Sequence, residues 1–188
     1  MNSMEIWDLY TKDRTKTGQT MIRGEQTPNG FYRLVVHICI FNSEGDMLIQ
    51  QRQPFKAGWS NMWDLTVGGS AVSGDTSQTA AEREVLEEIG CRISFQDIRP
   101  ALTINFHDGF DDMYLIQKDL EISQLTLQCE EVQAVRWASK DEIIQMIDSQ
   151  IFIPYDKSLI ELLFYMGTHG TIYTAEDDKA AQINPRKG

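Results

Sequence analysis

The chain has 188 residues, 41% of them hydrophobic and 24% charged, with 17 lysines and arginines against 28 aspartates and glutamates. That length suits one domain with a substantial core. The net charge of −11 excludes nucleic acid polymers and anionic membranes as bulk partners, and it calls for a screening cation if the substrate is itself an anion. Cys39, Cys91 and Cys129 lie far apart with no CxxC, which predicts a reducing, cytoplasmic setting rather than a disulfide framework. Neither a signal peptide nor a membrane-spanning helix is predicted.

In chain order, the alternation over residues 4–10 predicts a strand, 11–19 a polar turn and 20–25 a return strand, together an N-terminal hairpin. The β-branched, aromatic run 31–42 predicts a strand that turns at 43–46 into a partner at 47–53. Residues 54–63 read as a loop, and 64–75 as a short strand entering a glycine-rich turn. A helix follows over 76–89, with Thr76 or Ser77 as N-cap and Gly90 as the C-terminal stop. Further strands are predicted at 92–98, 102–107, 113–120 and 132–138. A helix over 139–150 carries a Ser139/Glu142 capping box, and another runs over 155–167. The polar tail beyond is expected to be frayed. Strands and helices mix without strict alternation, so the fold class is α/β with a mixed sheet.

The helix AEREVLEEIG crowds Glu84, Glu87 and Glu88 into a sector of roughly 100°, where like charges repel. Val85, Leu86 and Ile89 form the predicted buried stripe, and Arg83, the only cation, projects on another side. Glu82 fits neither face. A solvated acidic face is one reading. The glycine-rich turn just upstream favours another, a carboxylate site for a hard divalent cation shared with phosphates.

Counting outward gives Gly69, five residues, Asp75, seven residues, then Arg83, Glu84, Val85, Glu87, Glu88, Gly90 and Cys91. This closely resembles the Nudix box, G-x5-E-x7-R-E-U-x-E-E-x-G-U, where U is bulky and apolar. Two positions depart from it: Asp75 replaces a glutamate and is one methylene shorter, and Cys91 is a small hydrophobe at the last U.

The resemblance implies an α/β/α sandwich around a central mixed sheet. It gives a hairpin extension over 1–30, a Nudix hydrolase domain over 31–170 and a polar tail over 171–188. It also implies Mg2+-dependent hydrolysis (Mn2+ being the alternative metal) of a diphosphate linkage in a small molecule, either a nucleoside diphosphate joined to another group or an isoprenoid-like diphosphate. By position, Glu84 and Glu88 become metal ligands with Glu87 as a third, while Arg83 braces the loop through an ion pair and Gly69, Asp75 and Gly90 are structural positions of the box. The general base stays open among Glu87, Glu88, Glu130, Glu131, Asp111 and Asp112, with His107 a further candidate. His37, in an apolar strand, reads as a core histidine. Homodimers occur in the family, but no self-complementary surface is legible here.

The segment LIQQRQPFKAGWSNMWDLTVGGS is also similar to type I isopentenyl-diphosphate isomerases, which share this fold. The similarity places Arg52 and Lys56 on basic residues that contact diphosphate. It places Gly68 and Ser70 where those enzymes have an essential cysteine and a histidine. The resemblance therefore implies a hydrolase, with residual isomerase activity or non-catalytic nucleotide sensing as alternatives. Trp59, Trp63, Phe106 and Phe110 either line a pocket or pack in the core.

Overall fold

The computed structural model describes residues 5–170. The tail expected over 171–188 lies outside the described residues. The hairpin forms from β1 (Ile6–Tyr10) and β2 (Lys16–Ile22), antiparallel, with Trp7 opposite Met21. Its return strand begins at Lys16, earlier than expected, because Thr11 and Thr15 close a tight turn around Arg14 at φ 60°. Trp7, Leu9 and Met21 bury a small core of their own against Phe31.

The main sheet is built from β3 (Arg33–Phe41), β4 (Met47–Arg52), β5 (Trp63–Asp64), β6 (Val67–Ser70), β7 (Leu102–Phe106), β8 (Gly109–Gln117) and β9 (Val132–Ala138). Its path is β5-β4-β3-β8-β7, with β6 also paired to β3 and β9 to β4. The β3–β8 pair is parallel and the others are antiparallel, so the sheet is mixed. Parallel pairing of Arg33 with Gly109 starts β8 earlier than the apolar run suggested.

Period-two alternation along β3 divides its side chains between two cores. Leu34, Val36, Ile38 and Ile40 pack with Val85 and Ile89 of α1 (Ser77–Ile89). Cys39 and Phe41 pack with Ile143 of α2 (Lys140–Asp148) and Leu163 of α3 (Lys157–His169). The result is the expected α/β/α sandwich. Thr76 caps α1 in a capping box with Thr79, Gly90 ends it at φ 68°, and Ser139 and Glu142 form the predicted box on α2. Residues 92–98 do not form the predicted strand. The Glu82 carboxylate accepts the Phe95 amide at 2.7 Å, which pins this segment to α1 as a loop and gives Glu82 its role.

Candidate functional site

The site begins with two successive glycines on β6. Gly69 lies opposite Val36 and Gly68 opposite His37 on β3. Neighbouring strand residues face opposite sides of a sheet. A Cβ on Gly69 would overlap the Glu84 carboxylate, and one on Gly68 would overlap the His37 imidazole. On one side the strand admits a carboxylate, and on the other a histidine.

On the α1 side, Glu84 and Glu88 are buried, at 9% and 5% exposure. Leu86, expected in the buried stripe, is 38% exposed. The buried set Ala80, Ala81, Glu84, Val85, Glu88 and Ile89 spans about 180° of the helix and centres near Glu88. The apolar residues alone had pointed elsewhere, because this helix turns carboxylates inward.

Arg83 also sits elsewhere than its helical angle predicts. Rather than projecting away, its guanidinium joins the acidic cluster: it donates to Glu84 at 2.8 Å, Glu87 at 3.1 Å, Asp75 at 3.1 Å and the Ser70 carbonyl at 3.0 Å. The loop thus closes onto the helix through one cation. Asp75, despite its shorter side chain, accepts from Arg83, the Val72 amide and the Thr79 hydroxyl.

Charge balance differs among the glutamates. Glu87 is half-exposed and turned toward Arg83. Burial raises the Glu84 carboxyl, and Arg83 pulls it partway back. Glu88 receives one neutral hydrogen bond, from Gln50 Nε2 at 3.0 Å. Burial, reinforced by the charge of Glu84, pushes its carboxyl up to about 8. Gln50 is itself buried, and its Oε1 lacks a hydrogen-bond partner. A buried carboxylate without a cation, beside an orphaned amide oxygen, is an environment short of positive charge and of a donor. Glu84 and Glu88 therefore fit a hard divalent ion. Among the described residues, no group of three His, Cys, Asp or Glu stands ready to hold a metal, and Arg83 engages both Glu84 and Glu87.

On the opposite side of Gly68 and Gly69 lies a cavity of about 650 Å3, bounded by His37, Arg33, Arg52, Asp64, Asp111 and Tyr155 among others. Trp59 and Phe106 also line it, whereas Trp63 packs at the second core and Phe110 is buried against Tyr32. His37 Nδ1 meets both oxygens of Asp111, at 2.8 and 2.9 Å. Tyr155 donates to Asp64 at 2.8 Å, and burial with the Asp64 charge holds its phenol well above its usual range, so it stays a donor.

Arg52 reaches Gly58 O at 3.2 Å and lies 3.9 Å from Asp64. Lys56 is ion-paired with Glu131. Asp111 and Asp112, adjacent in sequence, part company: the buried Asp112 faces the hairpin and pairs with the partly exposed Arg14 at 2.6 Å, away from the cavity. Sequence reasoning missed Gln50, Asp64 and Tyr155. β4 ends in three polar residues, Gln50, Gln51 and Arg52, and nothing in that run marked Gln50 as the buried one. Nothing local marked the pairing of Asp64 with Tyr155.

Residues 31–159 match the NUDIX domain model. An uncharacterised Nudix hydrolase of Listeria monocytogenes is 50% identical over 152 residues, covering 81% of this chain and 90% of the relative. The crystal structure of DR0079 from Deinococcus radiodurans superposes with a TM-score of 0.67 at 23% identity, covering 85% of this chain and 97% of that one. More distantly, an isopentenyl-diphosphate Delta-isomerase of Pectobacterium atrosepticum is 26% identical over 73% of this chain and 78% of its own. With its box assembled as a loop closed onto a carboxylate helix, the chain belongs to the Nudix family, as a pyrophosphohydrolase.

Proposed function

We propose that the protein is a Mg2+-dependent hydrolase that cleaves a diphosphate linkage in a small molecule, either a nucleoside diphosphate joined to another group or an isoprenoid-like diphosphate. The observation that carries this reading is Glu88, buried and lacking a compensating cation beside Glu84. In a protein of net charge −11, such a pair makes sense as a cation seat that draws an anionic substrate.

Glu84 and Glu88 would hold the ion, with Glu87 at the rim on Arg83. When bound, a divalent cation neutralises phosphate charge and acidifies water. The chain's own residues do the rest. Arg83 and Asp75 lock the loop to α1, and Gln50 orients the Glu88 carboxylate. Glu88 and Glu87, as the carboxylates nearest the ion, are the candidates to take the proton of the attacking water. Glu131 is held by Lys56 and stands as the alternative base at the edge of β9. Arg52 lines the cavity beside the glycine pair and supplies a contact for phosphate. His37 fills the space that a side chain at position 68 would need, which opposes the cysteine chemistry of an isomerase.

The test is a panel of diphosphate compounds with Mg2+, including isopentenyl diphosphate, assayed for phosphate release with and without pyrophosphatase. Glu88→Gln should lower kcat on the best substrate by about 100-fold or more while the fold is retained. Full activity in that variant would remove Glu88 from the machinery. Formation of dimethylallyl diphosphate would favour the isomerase instead.

A further inference from the structure

Beyond the carboxylate face, the other side of Gly68 and Gly69 presents a second set of chemical groups. Although the chain is strongly acidic, Arg33, Arg52 and His37 converge on the cavity there, together with the box residues Gly68 to Ser70. His37 is the innermost of the three. Its Nδ1 sits between the two oxygens of Asp111, so this nitrogen must carry a proton. That arrangement keeps a proton on Nδ1 and leaves Nε2, a donor once the ring is an imidazolium, at the edge lying against Gly68. Among the described residues, Nε2 has no hydrogen-bond partner. A carboxylate-oriented imidazole with a free nitrogen on a cavity is arranged to meet a ligand.

The imidazole edge takes the room that a side chain on residue 68 would need. The same strand, one residue on, abuts Glu84. A phosphate group entering this cavity meets the imidazole edge with Arg33 and Arg52 on the same walls. We propose that His37, oriented by Asp111, is a substrate-contacting residue whose Nε2–H donates to a non-bridging phosphate oxygen of the diphosphate. This assignment rests on the hydrolase reading above and adds to it the residue that recognises the substrate from the cavity side.

The charge on His37 is supported by its surroundings. Burial works against the imidazolium, but Asp111 on β8 outweighs it, with Asp64 on β5 and Glu88 on α1 adding to the effect. Facing these are the cations Arg33 and Arg52 on the cavity wall and the neutral phenol of Tyr155. Removing the charge of Asp111 therefore lowers the pH at which His37 loses its proton.

The test uses the full-length protein with Mg2+ and methylenediphosphonate, a non-hydrolysable diphosphate, with binding measured by calorimetry from pH 6 to 9. His37→Ala should weaken binding by about tenfold to a hundredfold. His37→Gln, which keeps volume and a donor but loses the charge, should recover part of that loss. Asp111→Asn should shift the decline in affinity with rising pH to lower pH, an effect that loss of packing alone does not produce. If His37→Ala does not fold, His37→Gln and Asp111→Asn still decide the matter. Wild-type binding and an unchanged pH profile in both would overturn the role of His37 alone. Absence of Mg2+-dependent binding by the wild-type protein would overturn the diphosphate reading, and this assignment with it.

Discussion

Glu88 carries the most consequential chemistry of any single residue in the carboxylate seat. Without a cation, its folded-state carboxyl lies near 8, above the ordinary value of 4.5. A group raised on folding contributes stability that is complete below its unfolded pKa and is lost as pH rises through its folded pKa. The metal-free protein should therefore lose stability between about pH 4.5 and 8, by an amount on the order of a few kcal/mol. Glu88→Gln should flatten the upper part of that slope, as measured by denaturant unfolding across the range. An unchanged slope would mean that Glu88 is solvated in solution. The spacing that singles out Glu84, Glu87 and Glu88 was legible in the sequence because it is a covalent count. The face they occupy was not. Periodicity assigns the buried side to apolar residues, and here Glu84 and Glu88 take that side while Leu86 faces solvent. The reach of Arg83 was equally hidden, since a long flexible side chain can cross helical sectors that its Cα does not share.

Among the elements, the N-terminal hairpin does more than extend the domain. Asp8 of β1 accepts from the Ser73 hydroxyl at 2.8 Å, the Gly74 amide at 3.0 Å and Lys16 at 2.7 Å. Lys16 of β2 in turn donates to the Asp75 carbonyl at 2.7 Å. The Ser73 amide donates to the Ile6 carbonyl at 2.7 Å. The loop carrying Asp75 is therefore held from two directions, by Arg83 of α1 and by this hairpin. These hydrogen bonds, outweighing burial, keep the Asp8 carboxyl below its ordinary range. Asp8→Ala should cost about 1–3 kcal/mol in unfolding free energy and weaken Mg2+ binding, with Asp8→Asn intermediate. Unfolding curves and a Mg2+ titration check both effects. Normal Mg2+ affinity in a destabilised Asp8→Ala would confine the hairpin to a packing role. The hairpin itself was readable from alternation, but its return strand runs over Lys16–Ile22 rather than 20–25, since the turn at Arg14 is tighter than composition implied. Its docking on the loop was not readable, because it depends on long-range pairs such as Asp8 with Gly74 and Arg14 with Asp112.

At the scale of the whole molecule, the sheet separates two cores and two kinds of chemistry. No helix among the described residues is long and apolar enough to cross a membrane. An ion that binds the folded state and not the unfolded chain stabilises the whole domain by mass action. At a hundredfold excess over Kd this is about 2.7 kcal/mol, or roughly 5–10 °C in Tm for a chain of this size. Mg2+ should therefore raise the Tm, and Glu84→Gln combined with Glu88→Gln should abolish the rise in a thermal scan. A rise that survived in the double variant would place the ion elsewhere. The glycine pair of β6 gives this architecture a further property. Where side chains are absent, the wall between carboxylates and histidine is one backbone thick. At that point the sheet is a partition so thin that a side chain gained at either glycine would displace a group on one face, the Glu84 carboxylate for residue 69 or the His37 imidazole for residue 68. The two compartments can therefore be perturbed one at a time from a single strand, the carboxylate seat at residue 69 and the cavity at residue 68.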